Sequence, residues 1–545
     1  VLRRRAALLL ALPVAIVVAG YVVLPIGRAV FMGLAPEALG EVFGAGGAGW
    51  RGLINSVWVS AATVVLCGLL GTGLAWSLWR WRLPMGGLLR GAVALPLALP
   101  PLVGSLAVWL LVGSGGVLPR MIQAGLGLEE PPFGFDGLGA VLAVHVYSFY
   151  VYFYLFTSAA LARLDSALLD ASADMGASNA ATFRRVVLPA LKPALIGAAL
   201  VVFMLSMGSF TAPLLFAGDE PFLTTQVYSF KTNNYLDRAA AISTVLAAVC
   251  VFFLLAAEAR PSSSASTGRL STRTPVPLRR PLARVLAGAG VLFAFAVVAL
   301  PILTVLLLSV VADGSWTTQP LPTAFTLDHY TALVTDARVF EPVAASLWMS
   351  LAATAAAVIV GLVTALVVTK SRLKGRGLLR FAVLLPFALP GPVMALALLV
   401  WFGEPSVWAG GTVLVGTVGL LPLAYAVRHL PLTARASQAA LAAFDDRLAE
   451  ASADLGASGW TTFWRVVLPT VRPGVAAGAL LAFVAALGEF PASVLLYVYG
   501  NRPIAVEVLA RLRAYDLGAA AAYAVLLMLL VGVSVALTRR VGDGA

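Results

Sequence analysis

Charge is scarce in this chain. Only 11% of its 545 residues are Asp, Glu, Lys or Arg, less than half the share of about 25% found in soluble domains. So few charges cannot hydrate a surface of this size, which excludes a water-soluble globular fold. Cysteine is nearly absent: Cys67 and Cys250 both fall inside apolar runs and read as small packing residues, leaving no disulfide framework and no thiolate metal site. The three histidines, His145, His329 and His429, are far apart in sequence and show no ligand spacing, so neither a metal nor a cofactor is expected to be bound by this chain. There is no Gly-x-x-x-x-Gly-Lys-Ser/Thr phosphate loop, no His/Glu metal-hydrolase motif and no nucleophile elbow. Enzyme chemistry carried by the chain itself is therefore not expected.

What is abundant is apolar sequence: 60% of the residues are hydrophobic, and they recur in continuous runs of about 20, the length that crosses a hydrocarbon core. The runs do not alternate as barrel strands do, so the expected fold class is an all-α polytopic membrane protein. Hydropathy suggests about twelve crossings, in two sets of six. The first set lies near 6–31, 54–78, 91–112, 138–161, 194–217 and 239–257; the second near 282–311, 344–369, 381–402, 410–430, 474–499 and 518–538. The net charge of +12 would suggest nucleic acid in a soluble protein. Here it has another source, because basic residues collect in cytoplasmic loops. With both termini inside, cytoplasmic segments hold roughly 28 of the 37 Lys and Arg residues, so no nucleic-acid partner is expected. Arg3-Arg4-Arg5 opens the first apolar stretch. That stretch is too long for a signal-peptide core and no small-residue cleavage site follows, so it is read as an uncleaved first span.

Between the sixth and seventh spans the composition shifts to Ser, Pro and Arg, from Arg260-Pro261-Ser262 to Arg279-Arg280-Pro281. This reads as a cytoplasmic linker over 258–281, between a first domain at 1–257 and a second at 282–545. The two domains are repeats. Residues 170–193, DASADMGASNAATFRRVVLPALKP, and 450–473, EASADLGASGWTTFWRVVLPTVRP, match at about 15 of 24 positions without a gap. Leu95-Pro96-Leu97-Ala98-Leu99-Pro100 is echoed by Leu385-Pro386-Phe387-Ala388-Leu389-Pro390, and Ser56-Val57-Trp58-Val59-Ser60 by Ser346-Leu347-Trp348-Met349-Ser350. The offset is about 290 before the third loop of each half and about 280 after it, which implies a longer external loop in the first half, around Gly113 to Asp136. Both halves start and end on the same side. They are parallel repeats, with a path expected at their interface.

The duplicated segment lies in a cytoplasmic loop of each half, 163–193 and 431–473. Leu161, Leu164, Leu168 and Leu169 have helical spacing; Gly176 interrupts, Ser178 suits the N-cap of a second helix, Leu188-Pro189 is read as its end, and Pro193 suits the first turn of the next span. Gly456, Ser458, Leu468, Pro469 and Pro473 repeat the pattern. Glu450-Ala451-Ser452, Gly456 and Leu468-Pro469 resemble the "EAA" loop of binding-protein-dependent ABC importers, and Asp170-Ala171-Ser172, Gly176 and Leu188-Pro189 match the same pattern. The resemblance covers nearly the whole chain. It implies two methionine-importer-like (type I) permease domains in a bacterial inner membrane. It further implies a dimer of cytoplasmic ABC ATPase subunits that use the ATP and receive these loops, and an extracytoplasmic substrate-binding protein. The fused arrangement looks most like ferric-iron and thiamine importer permeases, which makes ferric iron the first expectation for cargo and thiamine the second. Asp170 departs from the family's Glu, and Ser172 and Ser452 from its second Ala.

Glu489, in Leu487-Gly488-Glu489-Phe490-Pro491, and its repeat partner Ser209, in Met207-Gly208-Ser209-Phe210, are the candidates for the path. An ionisable residue within a span is a functional hypothesis by default, and the surrounding Gly and Pro suggest a broken helix. His145 reads as a packing residue. The rival class is an ion-coupled secondary transporter, which should show several carboxylates within the spans; on the hydropathy reading only Glu489 qualifies.

Overall fold

No water is available in a hydrocarbon core to satisfy backbone N–H and C=O groups, so an apolar run must close its hydrogen bonds on itself. In the computed structural model of the chain these runs do so as α-helices. The structure describes residues 4–258, 275–278, 280–316 and 319–543. Most of the linker expected at 258–281 lies outside the described residues. Its described end, Val276–Pro277, pairs in parallel with Trp81–Arg82 of the first half.

Among the described residues ten helices are long and apolar enough to span a membrane, or eleven if the bent pair Arg376–Ala388 and Gly391–Phe402 is one crossing. Hydropathy suggested about twelve. The difference has local causes. In the third run of each half, Pro100 and Pro390 drive the residue before them out of the helical region: Leu99 has φ −88°, ψ 130° and Leu389 φ −84°, ψ 134°. The run at 381–402 is therefore bent by 113°, and the one at 91–112 breaks into Gly86–Val93, Leu95–Ala98 and Pro101–Val112. The run expected at 410–430 begins its helix only at Leu420 and continues to Ala443. Gly410, Gly411 and Gly416 hold φ of 65°, 81° and 83° ahead of it, a backbone incompatible with a right-handed helix. The runs at 194–217 and 474–499 form Leu188–Met207 and Leu468–Leu487, each stopping at a glycine.

Leu188-Pro189 and Leu468-Pro469 do not end the helix before them, as their prolines suggested. The chain passes through a π-helical turn, Phe183–Val187 and Phe463–Val467, and continues directly into Leu188–Met207 and Leu468–Leu487. The wider turn makes room for a ring that would clash with the carbonyl four residues back in a regular α-turn.

Within each half, Gly49–Arg80 packs along Gly137–Ala162, and Ala337–Lys370 along Leu420–Ala443. Equivalent glycines allow the approach: a Cβ on Gly71 would meet the Tyr150 carbonyl at 2.4 Å, and one on Gly361 the Thr433 hydroxyl at 2.5 Å. The halves also interlock. Leu24–Gly33 of the first half packs on Gly391–Phe402 of the second, and Pro281–Leu308 of the second packs on Pro101–Val112 of the first.

A ten-residue helix precedes the last span of each half, Leu223–Thr232 and Ile504–Arg513. Both sit in segments that hydropathy assigns to external loops. The repeated serines noted in the sequence start them: Ser56 Oγ accepts from Leu223 N–H at 3.1 Å and Ser346 Oγ from Ile504 N–H at 2.8 Å. Ser56→Ala or Ser346→Ala leaves one buried donor unsatisfied, a loss of about 1–3 kcal/mol. The expected outcome is faster amide exchange confined to 223–232 or to 504–513 respectively; equal exchange in both variants and wild type would show that the caps do not hold these helices.

Candidate functional site

The two elbows repeat the same set of capping and clasping bonds. Ser166–Asp174 and Asp446–Asp454 are capped by Asp165 and Asp445, whose Oδ1 atoms accept from Ala167 N–H at 2.9 Å and Arg447 N–H at 3.0 Å. Gly176 and Gly456 turn the chain with φ of 74° and 83°. Ser178 and Ser458 then accept from the amides of Ala181 and Thr461, both at 3.2 Å, starting the second arm. Ser172 and Ser452 clasp the arms together through the hydroxyls of Thr182 and Thr462, at 2.8 and 3.0 Å. A small residue without a hydroxyl could not make that clasp. Asp170, Ala171, Glu450 and Ala451 lie on exposed positions of the first arms. Leu164 and Leu169 anchor the first elbow against Leu161, Val187 and Leu191, while Phe444 and Val471 belong to the matching cluster in the second half. At the tips stand two large apolar side chains that the chain itself leaves uncovered, Met175 at 88% and Leu455 at 89% exposure.

At the other end of these helices the halves meet. A Cβ on Gly488 would stand 3.3 Å from Pro100, and one on Gly208 3.5 Å from Pro390. Gly208 and Gly488 are repeat partners, and so are Pro100 and Pro390. Contact of one position with another, returned by its equivalent, is the signature of a two-fold axis between like surfaces. Phe210 and Phe490, themselves equivalent, touch across it with ring centroids 5.7 Å apart.

Glu489 and Ser209 flank this contact with unlike chemistry. Glu489 is buried and Ser209 half-buried. The Glu489 carboxylate accepts from Arg428 Nε at 2.7 Å and from the Ala492 amide at 3.1 Å, and His429 Nε2 lies 3.7 Å from it. Arg428 also donates from Nη1 to the carbonyl of Leu389 at 3.0 Å, so one guanidinium ties together the two helix breaks of the second half. Nearby, the Ser493 hydroxyl donates to the Glu489 carbonyl and meets Tyr425 Oη at 2.6 Å. Ser148 occupies the repeat position of Arg428. The Ser209 carbonyl accepts from Thr224 Oγ1 at 2.7 Å.

Arg428 was legible as an ionisable residue inside an apolar run, but sequence reasoning singled out only its partner. Glu507 was missed because its segment read as a loop. It is buried in Ile504–Arg513 and paired with Arg502 at 2.8 Å and Arg511 at 2.7 Å. Glu489 is therefore not the sole buried carboxylate among the described residues, and each of the two there faces an arginine. His145 Nδ1 lies 2.9 Å from Ser206 Oγ, to which Ser60 donates at 3.0 Å. Cys67 and Cys250 are free and buried. The histidines show no spacing in sequence, yet His329 stands beside Asp313 and Asp516. Two of the three have other partners: His329 Nε2 lies 2.9 Å from the Val311 carbonyl, and Asp516 accepts from Arg511 and from the Ala519 amide. Desolvation and then the Asp516 carboxylate raise Asp313 above its ordinary range.

Comparison with known proteins points in one direction. The family model described as "Binding-protein-dependent transport system inner membrane component" matches twice, over residues 68–259 and 357–543. The chain is 30% identical over 461 residues to the "Probable ABC transporter permease protein y4fN" of Sinorhizobium fredii, spanning 84% of this chain and 81% of that protein. It is 26% identical over 519 residues to the "Ferric transport system permease protein FbpB" of Actinobacillus pleuropneumoniae, spanning 91% of this chain and 72% of that protein. A stretch covering 38% of the chain is 33% identical to the "Molybdenum transport system permease protein ModB" of Mycobacterium tuberculosis, 78% of which is covered.

Proposed function

The chain belongs to the family of binding-protein-dependent transport system inner membrane components, and from that premise we propose how it works as an ABC importer permease. It supplies both permease halves of a multi-pass inner-membrane importer, the solute passes between them, and two ATPase subunits drive the cycle from the cytoplasmic side by docking on the elbows. ATP is bound and hydrolysed by those subunits. The cargo is delivered by an extracytoplasmic binding protein.

The observation that carries the docking assignment is the pair of exposed apolar tips, Met175 and Leu455, presented at the same position of two elbows with matching caps, turns and clasps. Each large side chain kept in water forgoes about 1.5–3 kcal/mol of burial. Two matched copies are what a two-fold symmetric partner would cover. Ferric iron is the proposed cargo, on the strength of the ferric-transport relative matched along 91% of the chain; thiamine is the second choice. Among the described residues both buried carboxylates are held by arginines, which favours ATP-driven transport over an ion-coupled cycle that needs carboxylates free to exchange a proton or sodium ion.

Met175→Asp combined with Leu455→Asp tests the docking. The expected result is loss of co-purification with the ATPase subunits and loss of ATP-driven uptake, at an unchanged amount of chain in the membrane. Retained co-purification and uptake would refute the assignment. The cargo is tested separately, by measuring which of ferric iron, thiamine and molybdate the partner binding protein retains and the vesicles accumulate.

A further inference from the structure

We propose that the loop after Gly49–Arg80 holds the phosphate of an anionic phospholipid, in a pocket built around Arg82 and Arg90 in the first half only. The pocket is separate from the elbows and from the contact between the halves. That its end of the molecule faces the cytoplasm rests on the permease reading; the pocket and its ligand class do not.

A cavity of 310 Å³ is lined by Leu78, Trp81, Arg82, Gly86, Arg90 and Pro275, among others. The linker supplies one wall. Val276–Pro277 pair with Trp81–Arg82, which lays the preceding Pro275 along the cavity. Arg82 and Arg90 are exposed, and among the described residues neither has a carboxylate or hydrogen-bond partner.

The second half shows what has been removed to make the space. There Gly375 takes the left-handed turn at φ 91°, and Arg376 follows it. Arg376 Nη1 donates to the Ser371 carbonyl at 2.5 Å, so its side chain folds back across the loop. Ser371 is the repeat counterpart of Trp81, and Arg376 that of Gly86. In the first half the glycine comes one residue later. Met85 takes the turn at φ 51°, a conformation unfavourable for a residue with a Cβ, and the side chain that bridges the loop is missing. Packing does not require glycine at 86: a Cβ there would meet its nearest neighbour, Leu83, at 3.8 Å.

Two unpaired guanidiniums over an otherwise uncharged lining suit an oxyanion, because the planar fork offers phosphate two N–H groups at once. The surroundings select a lipid as its source. Ala75, one turn and a half before Trp81, packs with Leu164, Leu169 and Leu191, so this end of the helix lies level with the first elbow. Trp79 and Trp81 alternate with Arg80 and Arg82, the mixture of rings and cations found where a span meets the headgroups. Leu88 beside the pocket is exposed, and so are Leu282, Val285 and Leu286 on the helix Pro281–Leu308 that packs against Gly86–Val93. Acyl chains would cover that surface, and a soluble anion would gain nothing from it. Basic pockets beside spans on the cytoplasmic side take anionic headgroups in this way.

The test uses the full chain in detergent and radiolabelled phosphatidylglycerol, with phosphatidylcholine and glycerol phosphate as competitors. Arg82→Gln with Arg90→Gln is expected to weaken phosphatidylglycerol binding about 30-fold, from roughly a factor of five for each arginine near an anionic headgroup. Arg372→Gln with Lys374→Gln removes the same charge from the second half and is expected to change binding little. Gly86→Arg is the sharper variant. It adds a cation but restores the side chain found at Arg376, so a built pocket loses the lipid whereas a general attraction to positive charge gains it. The proposal is overturned if Gly86→Arg binds as tightly as wild type or tighter, or if the two charge-removing variants lose affinity equally. Displacement by glycerol phosphate as effective as by unlabelled phosphatidylglycerol overturns the lipid assignment. Thermal unfolding of each lipid-free variant, expected to match wild type, checks that the loop stays folded. None of these readouts involves the ATPase subunits or the cargo, so failure of the permease reading would show separately, in the docking and uptake measurements.

Discussion

The Gly176→Val, Gly456→Val double variant is expected to lose ATP-driven uptake while its membrane-embedded part stays folded. Space is not the obstacle, because a Cβ at either glycine meets nothing within 4 Å. The cost is in the backbone, which holds φ of 74° and 83°. An L-residue there costs about 1–2 kcal/mol, and a β-branched one more, since both of its γ-carbons crowd the neighbouring peptides. The elbow has little to oppose this. Its first arm is nine residues long, Ser166–Asp174 or Asp446–Asp454, far below the length at which a helix is stable alone. The turn itself is closed by a few bonds, among them Gly176 N–H to Ala173 and Ala177 N–H to Ser172, with the same pair at Gly456 and Ala457. Once the arm rotates or frays, Met175 and Leu455 no longer face the partner together. The control is Gly→Asn at the same positions, because Asn visits the left-handed region. Uptake should largely survive in that variant, and this separates lost turn geometry from lost glycine. Wild-type uptake in the valine double variant, at normal chain levels, would remove the coupling role from the elbows.

Arg428→Met is expected to be strongly destabilising, and Arg428→Met with Glu489→Leu less damaging than Arg428→Met alone. Glu489 is 6% exposed, and its carboxylate is balanced by the Arg428 guanidinium at 2.7 Å. Removing one partner of a buried pair leaves an uncompensated charge and costs about 3–5 kcal/mol, whereas replacing both with apolar groups is often neutral. The Leu389 carbonyl loses its Nη1 donor in either variant, so the double variant should not recover fully. Thermal unfolding of the detergent-solubilised complex and the amount of assembled chain are the readouts. Glu489→Gln is diagnostic in another way. It keeps the shape and one acceptor oxygen for Arg428, so a path-lining charge and a structural strut separate. A strut lowers stability with the uptake per assembled complex unchanged. A charge that meets the solute changes uptake per complex with stability nearly intact.

Much of this protein was decided by its sequence. The helical membrane class followed from apolar runs too long and too poor in charge for water. The two-fold repeat followed from DASADMGAS and EASADLGAS at matched positions, and the glycine turn and the Ser178 and Ser458 caps followed from the chemistry of single residues. These features are local, so their physical causes lie within a few residues of one another and can be read from the chain. The number of crossings was not local in this sense. Hydropathy sums apolar character and is blind to the direction of the chain, so it could not see the bend at Pro390 or the late start at Leu420.

The contacts between the helix breaks were hidden for the same reason, more strongly. Arg428 and Glu489 are 61 residues apart, and Phe210 and Phe490 lie on opposite sides of the linker; nothing in either neighbourhood specifies that they meet. Glu489 stood out in sequence as a charge within a span, but only packing shows that an arginine balances it. Phe210 and Phe490 were two apolar residues among many. Their contact comes from lying on an axis, and an axis exists only once the halves are folded against each other. Sequence thus determined what each half is. The tertiary structure decided where the halves touch, because only close packing across the interface brings equivalent residues onto a common line.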